Sequence, residues 1–212
     1  MGNRLIVAVE KLKRRKNWKK CIFDSGEYLE IPDEIMIRNA LSTGIELSQE
    51  KFAELKAGSE ALRAKEKAMR LLSYRARSEK ELNQRMRRSG IYQSTAKAVI
   101  KDLKRLHLID DEEFARKFIN DLIRRKPAGE FLLKAELQKR GISNAVIDRI
   151  IEQTFKEVSQ VELARKGVQQ WLSRHPRTPS NERRKQKVAQ YLYQRGFSWS
   201  IIDEVLGESS AL

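Results

Sequence analysis

Residues 75–90 read Arg75-Ala76-Arg77-Ser78-Glu79-Lys80-Glu81-Leu82-Asn83-Gln84-Arg85-Met86-Arg87-Arg88-Ser89-Gly90. Ser78 and Glu81 have the spacing of a capping box, in which the hydroxyl accepts from the Glu81 amide while the carboxylate reaches back to the cap. Leu82 and Met86, four residues apart, share one helix face. Gly90 supplies the left-handed residue that ends such a helix. A short helix with one narrow apolar stripe must bury that stripe against neighbours.

Working outward, the neighbours are helical too. Ala68, Leu71 and Leu72 give one apolar face before the box. After Gly90, Ser94 opens a helix carrying Val99, Ile100, Leu103 and Leu106 inward. The same unit then recurs. Asp110-Asp111-Glu112-Glu113 starts a helix with Phe114, Phe118, Ile119 and Leu122, its acids suited to the positive helix end. Pro127-Ala128-Gly129 breaks it, Leu133 and Leu137 lead to Gly141, and Ser143 caps a helix with Val146, Ile147, Ile150 and Ile151. A weaker third copy runs from Val161 to Trp171, breaks at His175-Pro176-Arg177-Thr178-Pro179, and continues through Val188, Leu192, Gly196 and Ile201 to Leu206. Gly90, Gly141 and Gly196 each follow a Met or Leu by four residues, at separations of 51 and 55 residues. Recurrence at such a period marks a repeat architecture, whose units bury their faces against one another.

Residues 1–57 differ. Leu5 to Val9 reads as a strand, and apolar runs at Cys21 to Phe23 and Tyr28 to Ile31 flank an Asp24-Ser25-Gly26-Glu27 turn, the pattern of a β-hairpin. Pro32 suits the first turn of a helix from Asp33 to Ala40. Gly44 breaks the chain, Ser48 can cap a helix through Leu55, and Gly58-Ser59 marks a boundary. The expected fold is mainly α: tandem three-helix repeats in an elongated curved array, with a small N-terminal β-hairpin/helix extension. Its parts are the extension at 1–57 and repeats at 58–109, 110–156 and 157–212. A single compact bundle is the alternative with the same periodicity.

Charge narrows the function. The 212 residues carry a formal net charge of +15, which suits a polyanionic partner. Residues 58–109 hold 14 Lys and Arg against 5 Asp and Glu, the most uneven segment. Arg63, Lys65, Lys67, Arg70, Arg75 and Arg77 fall close together there, opposed by Glu66. Other basic clusters are Lys11 to Lys20, with Arg14 inside it, and Arg183, Arg184, Lys185 and Lys187. The last cluster stands at a helix start, where cations oppose the dipole, and so points to a partner. Trp18, between Lys16, Lys19 and Lys20, can stack on single-stranded DNA or pack on the sheet; packing is the stronger expectation. Trp171 and Trp199 read as packing residues.

Enzyme chemistry finds little support. No phosphate loop, dinucleotide fingerprint or nucleophile elbow is present. Two histidines and one cysteine do not make a zinc site of the usual kind. Asp110 and Asp111 are paired carboxylates, but helix capping explains both their type and their place. Neither a cofactor nor a catalytic or metal site is expected. The single cysteine allows no internal disulfide. The apolar run at Leu5 to Val9 precedes its basic run, the reverse of a secretory signal. No apolar stretch is long enough to span a membrane. A cytoplasmic location away from membranes is expected.

Three stretches together resemble the RecX family of RecA modulators: Arg75 to Leu82, Leu108-Ile109-Asp110-Asp111-Glu112-Glu113-Phe114-Ala115, and Lys139-Arg140-Gly141-Ile142. The resemblance covers roughly residues 60–206, strongest in the first two units. It implies repeated three-helix units, a seat in the groove of a RecA filament on single-stranded DNA, and inhibition of recombinase and ATPase activity in repair, recombination and the SOS response. It departs from the family at Glu130-Phe131-Leu132, where basic residues are more usual, and in the Arg-rich insertion near Arg183. The implied partners are the RecA filament and single-stranded DNA, with weaker duplex binding, for a monomer. The candidate contacts to DNA or RecA are Arg70, Arg75, Arg77, Lys117, Arg124, Arg125, Lys139, Arg140, Arg183, Arg184, Lys185 and Lys187. A stand-alone helical DNA-binding transcriptional regulator is the alternative; the spread of charge over several units speaks against a single recognition helix. An enzyme acting on nucleic acid with metal-dependent turnover ranks last.

Overall fold

A computed structural model describes residues 3–13, 15–176 and 182–208. Arg14, and the Arg177-Thr178-Pro179 part of the expected break, lie outside them. The chain divides into two compact units, Met1–Arg75 with Leu82–Leu106, and Ala76–Glu81 with His107–Leu212.

The first unit opens on strands β1 (Arg4–Lys11), β2 (Trp18–Phe23) and β3 (Tyr28–Pro32). β2 and β3 form the expected hairpin. Gly26, at φ +81°, closes its turn, and the Phe23 amide donates to the Glu27 carbonyl at 2.9 Å. The hairpin is part of something larger. β1 pairs antiparallel with β2, and a two-residue strand β4 (Glu46–Leu47) pairs with β1, giving a four-stranded sheet in the order β3-β2-β1-β4. β4 is too short to show a period in sequence.

Ile6, Cys21, Phe23 and Ile31 line the buried face of the sheet with Leu47. They pack against Met36 of helix α1 (Asp33–Arg38) and against Phe52 and Leu55 of helix α2 (Gln49–Tyr74). Phe23 meets Phe52 edge-on at 5.1 Å between ring centroids, a favoured aromatic geometry. Burial raises the Cys21 thiol pKa to about 11, so it is not a reactive thiolate at neutral pH.

The boundary expected at 57/58 falls inside α2, which runs unbroken for 26 residues, well past Leu55. One glycine costs a helix only about 1 kcal/mol relative to alanine, and tertiary packing on both sides of Gly58 offsets that. Phe52 and Leu55 anchor the N-terminal half on the sheet, while Ala64 and Ala68 are buried in the C-terminal half, which packs along α4. The extension and the first repeat therefore share one helix.

Helices α3 (Glu79–Arg87) and α4 (Gln93–Arg105) complete the first repeat, with Leu82, Met86, Ala96 and Leu103 buried. α4 starts after Tyr92, not at Ser94. Glu60 of α2 takes the capping role, accepting from the Tyr92 amide at 3.2 Å and the Thr95 hydroxyl at 3.0 Å.

The second unit holds two further triplets. Helices α5 (Asp111–Arg125), α6 (Glu130–Lys139) and α7 (Asn144–Glu157) bury Phe114, Ile119, Leu133, Leu137, Ile147 and Ile150. Helices α8 (Gln160–Arg174), α9 (Glu182–Gln194) and α10 (Trp199–Glu208) bury Leu163, Val168, Trp171, Leu192, Phe197 and Ile202. Ser143 sits at the start of α7 without a capping hydrogen bond. Trp199 is 56% exposed and stacks on Tyr193 at 5.3 Å, so it is not the packing residue expected; its place on the first turn of α10 leaves it outside the apolar stripe.

One turn is built three times. Gly90, Gly141 and Gly196 have φ of +78°, +79° and +82°. Each donates its amide three residues back, at 2.9 Å, to Arg87, Gln138 and Tyr193. The amides of Ile91, Ile142 and Phe197 reach five residues back to Met86, Leu137 and Leu192, at 3.2–3.3 Å. This is the Schellman arrangement, in which only glycine takes the left-handed position without strain.

Candidate nucleic-acid interface

Of the basic clusters, the one on α2 is built into a cavity. Arg63, Lys67 and Arg70 stand at i, i+4 and i+7, which places them on one face of the helix. They line a hollow of about 270 Å³ together with Arg15, from the β1–β2 connection, and Glu30. The acids nearby are engaged: Glu30 pairs with Arg15 at 3.5 Å, and Glu66 pairs with Arg15 at 3.8 Å while accepting from the Trp18 indole at 3.1 Å. Arg63 also donates to the Ser89 carbonyl at 3.4 Å.

Lys67 reports the resulting potential. Its pKa is lowered, first by burial and then by the charges of Arg70, Arg63 and Arg85. Like charges at helical spacing destabilise a free helix by roughly 0.2–0.5 kcal/mol per pair. An anion seated in the hollow would reverse the sign of that interaction. A phosphate is well matched, since guanidinium groups fork onto its oxygens and an ammonium adds a point charge. Among the described residues, no group of three or more His, Cys, Asp or Glu is placed to hold a metal ion, and no helix is long and apolar enough to cross a membrane.

Only Arg70 of the expected contacts lines this hollow. Arg75 is exposed at the end of α2, whereas Arg77 is 9% exposed, which leaves little of it for a partner. Lys117 pairs with Glu113 at 2.5 Å and Arg124 with Asp121 at 2.9 Å, both within α5. Arg125 is exposed on the last turn of that helix. Lys139 and Arg140 both pair with Glu136, at 2.8 and 2.7 Å, and Arg140 lies 3.9 Å over the Phe118 ring. These two bonds, Lys139's first, hold the Glu136 carboxyl below its ordinary pKa, against the effect of burial. Arg183 and Lys187 are exposed and Arg184 and Lys185 half-buried at the start of α9.

Asp110 is the cap of α5, accepting from the Glu112 and Glu113 amides at 2.8 and 3.1 Å, and Asp111 accepts from the Glu79 amide at 2.8 Å. Trp18 is 3% exposed and packs as expected; it is not a stacking platform for DNA. The expected contacts leave out Arg15, Arg63 and Lys67, which line the hollow. The spacing of Arg63, Lys67 and Arg70 was visible in the sequence, but the approach of Arg15 depends on how the sheet packs on α2.

The fold and this cavity define a class: three-helix repeats behind a small sheet, with a concentrated cationic hollow. Family models described as the first, second and third three-helix domains of RecX match residues 64–103, 110–150 and 159–206. The chain belongs to the RecX family. It is 36% identical over 149 residues to the regulatory protein RecX of Chlorobaculum tepidum, covering 68% of this chain and 89% of that one. It is 27% identical over 204 residues to that of Bacillus licheniformis, covering 95% of this chain and 77% of the other. A crystal structure of regulatory protein RecX superimposes with a TM-score of 0.71 at 27% identity, over 97% of this chain and 100% of that one. The crystal structure of RecX from Lactobacillus salivarius gives 0.59 at 25% identity, over 71% and 97%.

Proposed function

We propose that this regulatory protein binds RecA filaments on single-stranded DNA and lowers their ATPase and recombinase activity, with the hollow on α2 taking backbone phosphates. It acts as a cytoplasmic monomer, without a cofactor or a catalytic step of its own. The supporting observation is the meeting of Arg63, Lys67 and Arg70 in one cavity, where the pKa of Lys67 is lowered in part by its neighbours' charge. The three repeats support it more broadly, since repeated helical units are an architecture used to bind extended partners.

The test is RecA ATPase on single-stranded DNA, titrated with this protein. The expected result is inhibition at stoichiometric protein, weakened by Arg63→Ala/Arg70→Ala at unchanged helical circular dichroism. Phosphate neutralisation makes binding to a single strand fall with salt at a log–log slope of about −0.7 per contact. Unchanged ATPase and intact filaments at stoichiometric protein would overturn the proposal. A preference for one duplex sequence, without dependence on RecA, would favour a stand-alone regulator.

A further inference from the structure

Beside the hollow lies a second cavity of about 320 Å³, within the roughly 300–1,000 Å³ of ligand clefts. Its walls include Tyr28 of the hairpin and Tyr92 at the start of α4, 60% and 65% exposed. Lys20 lies 4.8 Å over the Tyr28 ring. Ser59 lines the same cavity; it is 3% exposed, and its hydroxyl oxygen has no hydrogen-bond partner. Buried hydroxyls are as a rule hydrogen-bonded, so the place of this one on a cavity wall points to a polar ligand group. Glu30, Arg63 and Ile91 line both cavities, which makes them neighbours.

The turn geometry adds an independent reason. In the second unit the repeated glycine turns are covered. A Cβ on Gly141 would fall 2.3 Å from the Lys80 side chain, and one on Gly196 would fall 2.2 Å from the Leu132 amide nitrogen. Around Gly90 nothing lies within 4 Å of that position, and Gly90 lines the tyrosine cavity. The first repeat leaves open the surface that its successors cover.

We propose that this cleft seats an unpaired base of single-stranded DNA between Tyr28 and Tyr92, with the adjoining phosphate in the Arg63–Lys67–Arg70 hollow. Exposed aromatic faces beside a cationic groove are the means by which proteins hold single strands. A duplex hides its base faces and cannot use them. This deepens the proposed function and rests on it for the DNA partner.

The test compares fluorescence anisotropy of a labelled oligothymidylate with that of an abasic oligomer of equal length, in the wild type, Tyr28→Ala/Tyr92→Ala, Tyr28→Phe/Tyr92→Phe and Arg63→Ala/Arg70→Ala. The wild type is expected to prefer the base-bearing strand by about tenfold, the scale of base–aromatic stacking. The alanine pair should lose that preference at unchanged salt slope, and the phenylalanine pair should keep it. The arginine pair should weaken both strands. Equal binding of the two oligomers by the wild type, or a preference surviving in the alanine pair, overturns the cleft. Thymidine monophosphate binding as tightly as the oligomer overturns it too, since the site would then be one for a free nucleotide. RecA ATPase on the same samples separates the two ideas. Inhibition without base preference removes the cleft and leaves the filament reading; base preference without inhibition does the reverse.

Discussion

The turns at Gly90 and Gly196 have nearly the same φ and the same pattern of hydrogen bonds, yet one stands in open space and the other is pressed against backbone. At Gly196 the chain of α6 comes so close that the Phe131 amide donates to the Gly196 carbonyl at 3.0 Å and the Gly129 amide to the Arg195 carbonyl at 2.9 Å. Arg195 seals the contact by donating to the Pro127 carbonyl at 2.7 Å. The turn at Gly141 is intermediate. It is met by Lys80, and the Ser78 hydroxyl donates to the Arg140 carbonyl at 2.7 Å. One local motif thus serves three purposes: stopping a helix, receiving a side chain, and docking backbone on backbone. Glycine is needed for its conformation at all three, and for its small size most strictly at Gly196.

Gly196→Ala should be the most damaging change, because positive φ and a clash with rigid backbone act together. A loss of about 3 kcal/mol or more in chemical denaturation is expected. Gly129→Ala should approach it for a different reason. Its φ of −87° suits any residue, but an added Cβ would lie 2.3 Å from the Gly196 carbonyl oxygen. If either substitution proves as mild as Gly90→Ala, backbone docking does not hold these repeats together. Gly141→Ala is expected to cost about 2–3 kcal/mol, from left-handed strain together with a contact 2.6 Å from the Lys80 Cβ, which side-chain rotation cannot relieve. Ser78→Ala removes the α3 cap and the bond to Arg140, for about 1 kcal/mol, and Ser78→Gly should not rescue it.

The smallest effect is electrostatic. Glu136 has a lowered pKa in the folded protein, so the stability from its pairs is present above the unfolded carboxylate pKa and lost as pH falls through the folded value. Glu136→Gln should flatten that part of the acid limb of a stability–pH curve while changing stability at neutral pH by less than about 1 kcal/mol. A large neutral-pH loss would mean that Arg140 depends on Glu136 to stay over Phe118.

The repeat pattern was plain in the sequence because each unit carries its own punctuation: Ser78 and Asp110 as caps, Gly90, Gly141 and Gly196 as stops, with apolar residues at helical spacing between them. The length of α2 was not plain, since Gly58-Ser59 looks like a break until Phe52 and Leu55 are seen to pack on the sheet. The candidate site was partly legible. Arg63, Lys67 and Arg70 share a face by spacing alone, but Arg15, Tyr28 and Tyr92 come from three separate segments and meet only through tertiary packing. Arg77 is buried and Arg140 pairs with Glu136, and a charge count cannot tell a solvated arginine from one drawn inward.

The continuity of α2 has a consequence for how the chain can be divided. A cut at residue 57 would not release a spare appendage. It would split one rod, leaving Phe52 and Leu55 packed on the sheet in one fragment while parting Trp18 from Glu66 and the hairpin with Tyr28 from Tyr92. The amino-terminal sheet is thus built into the first compact unit, and a shortened protein starting at residue 58 would lack Arg15 from the cationic hollow and Tyr28 from the cleft beside it.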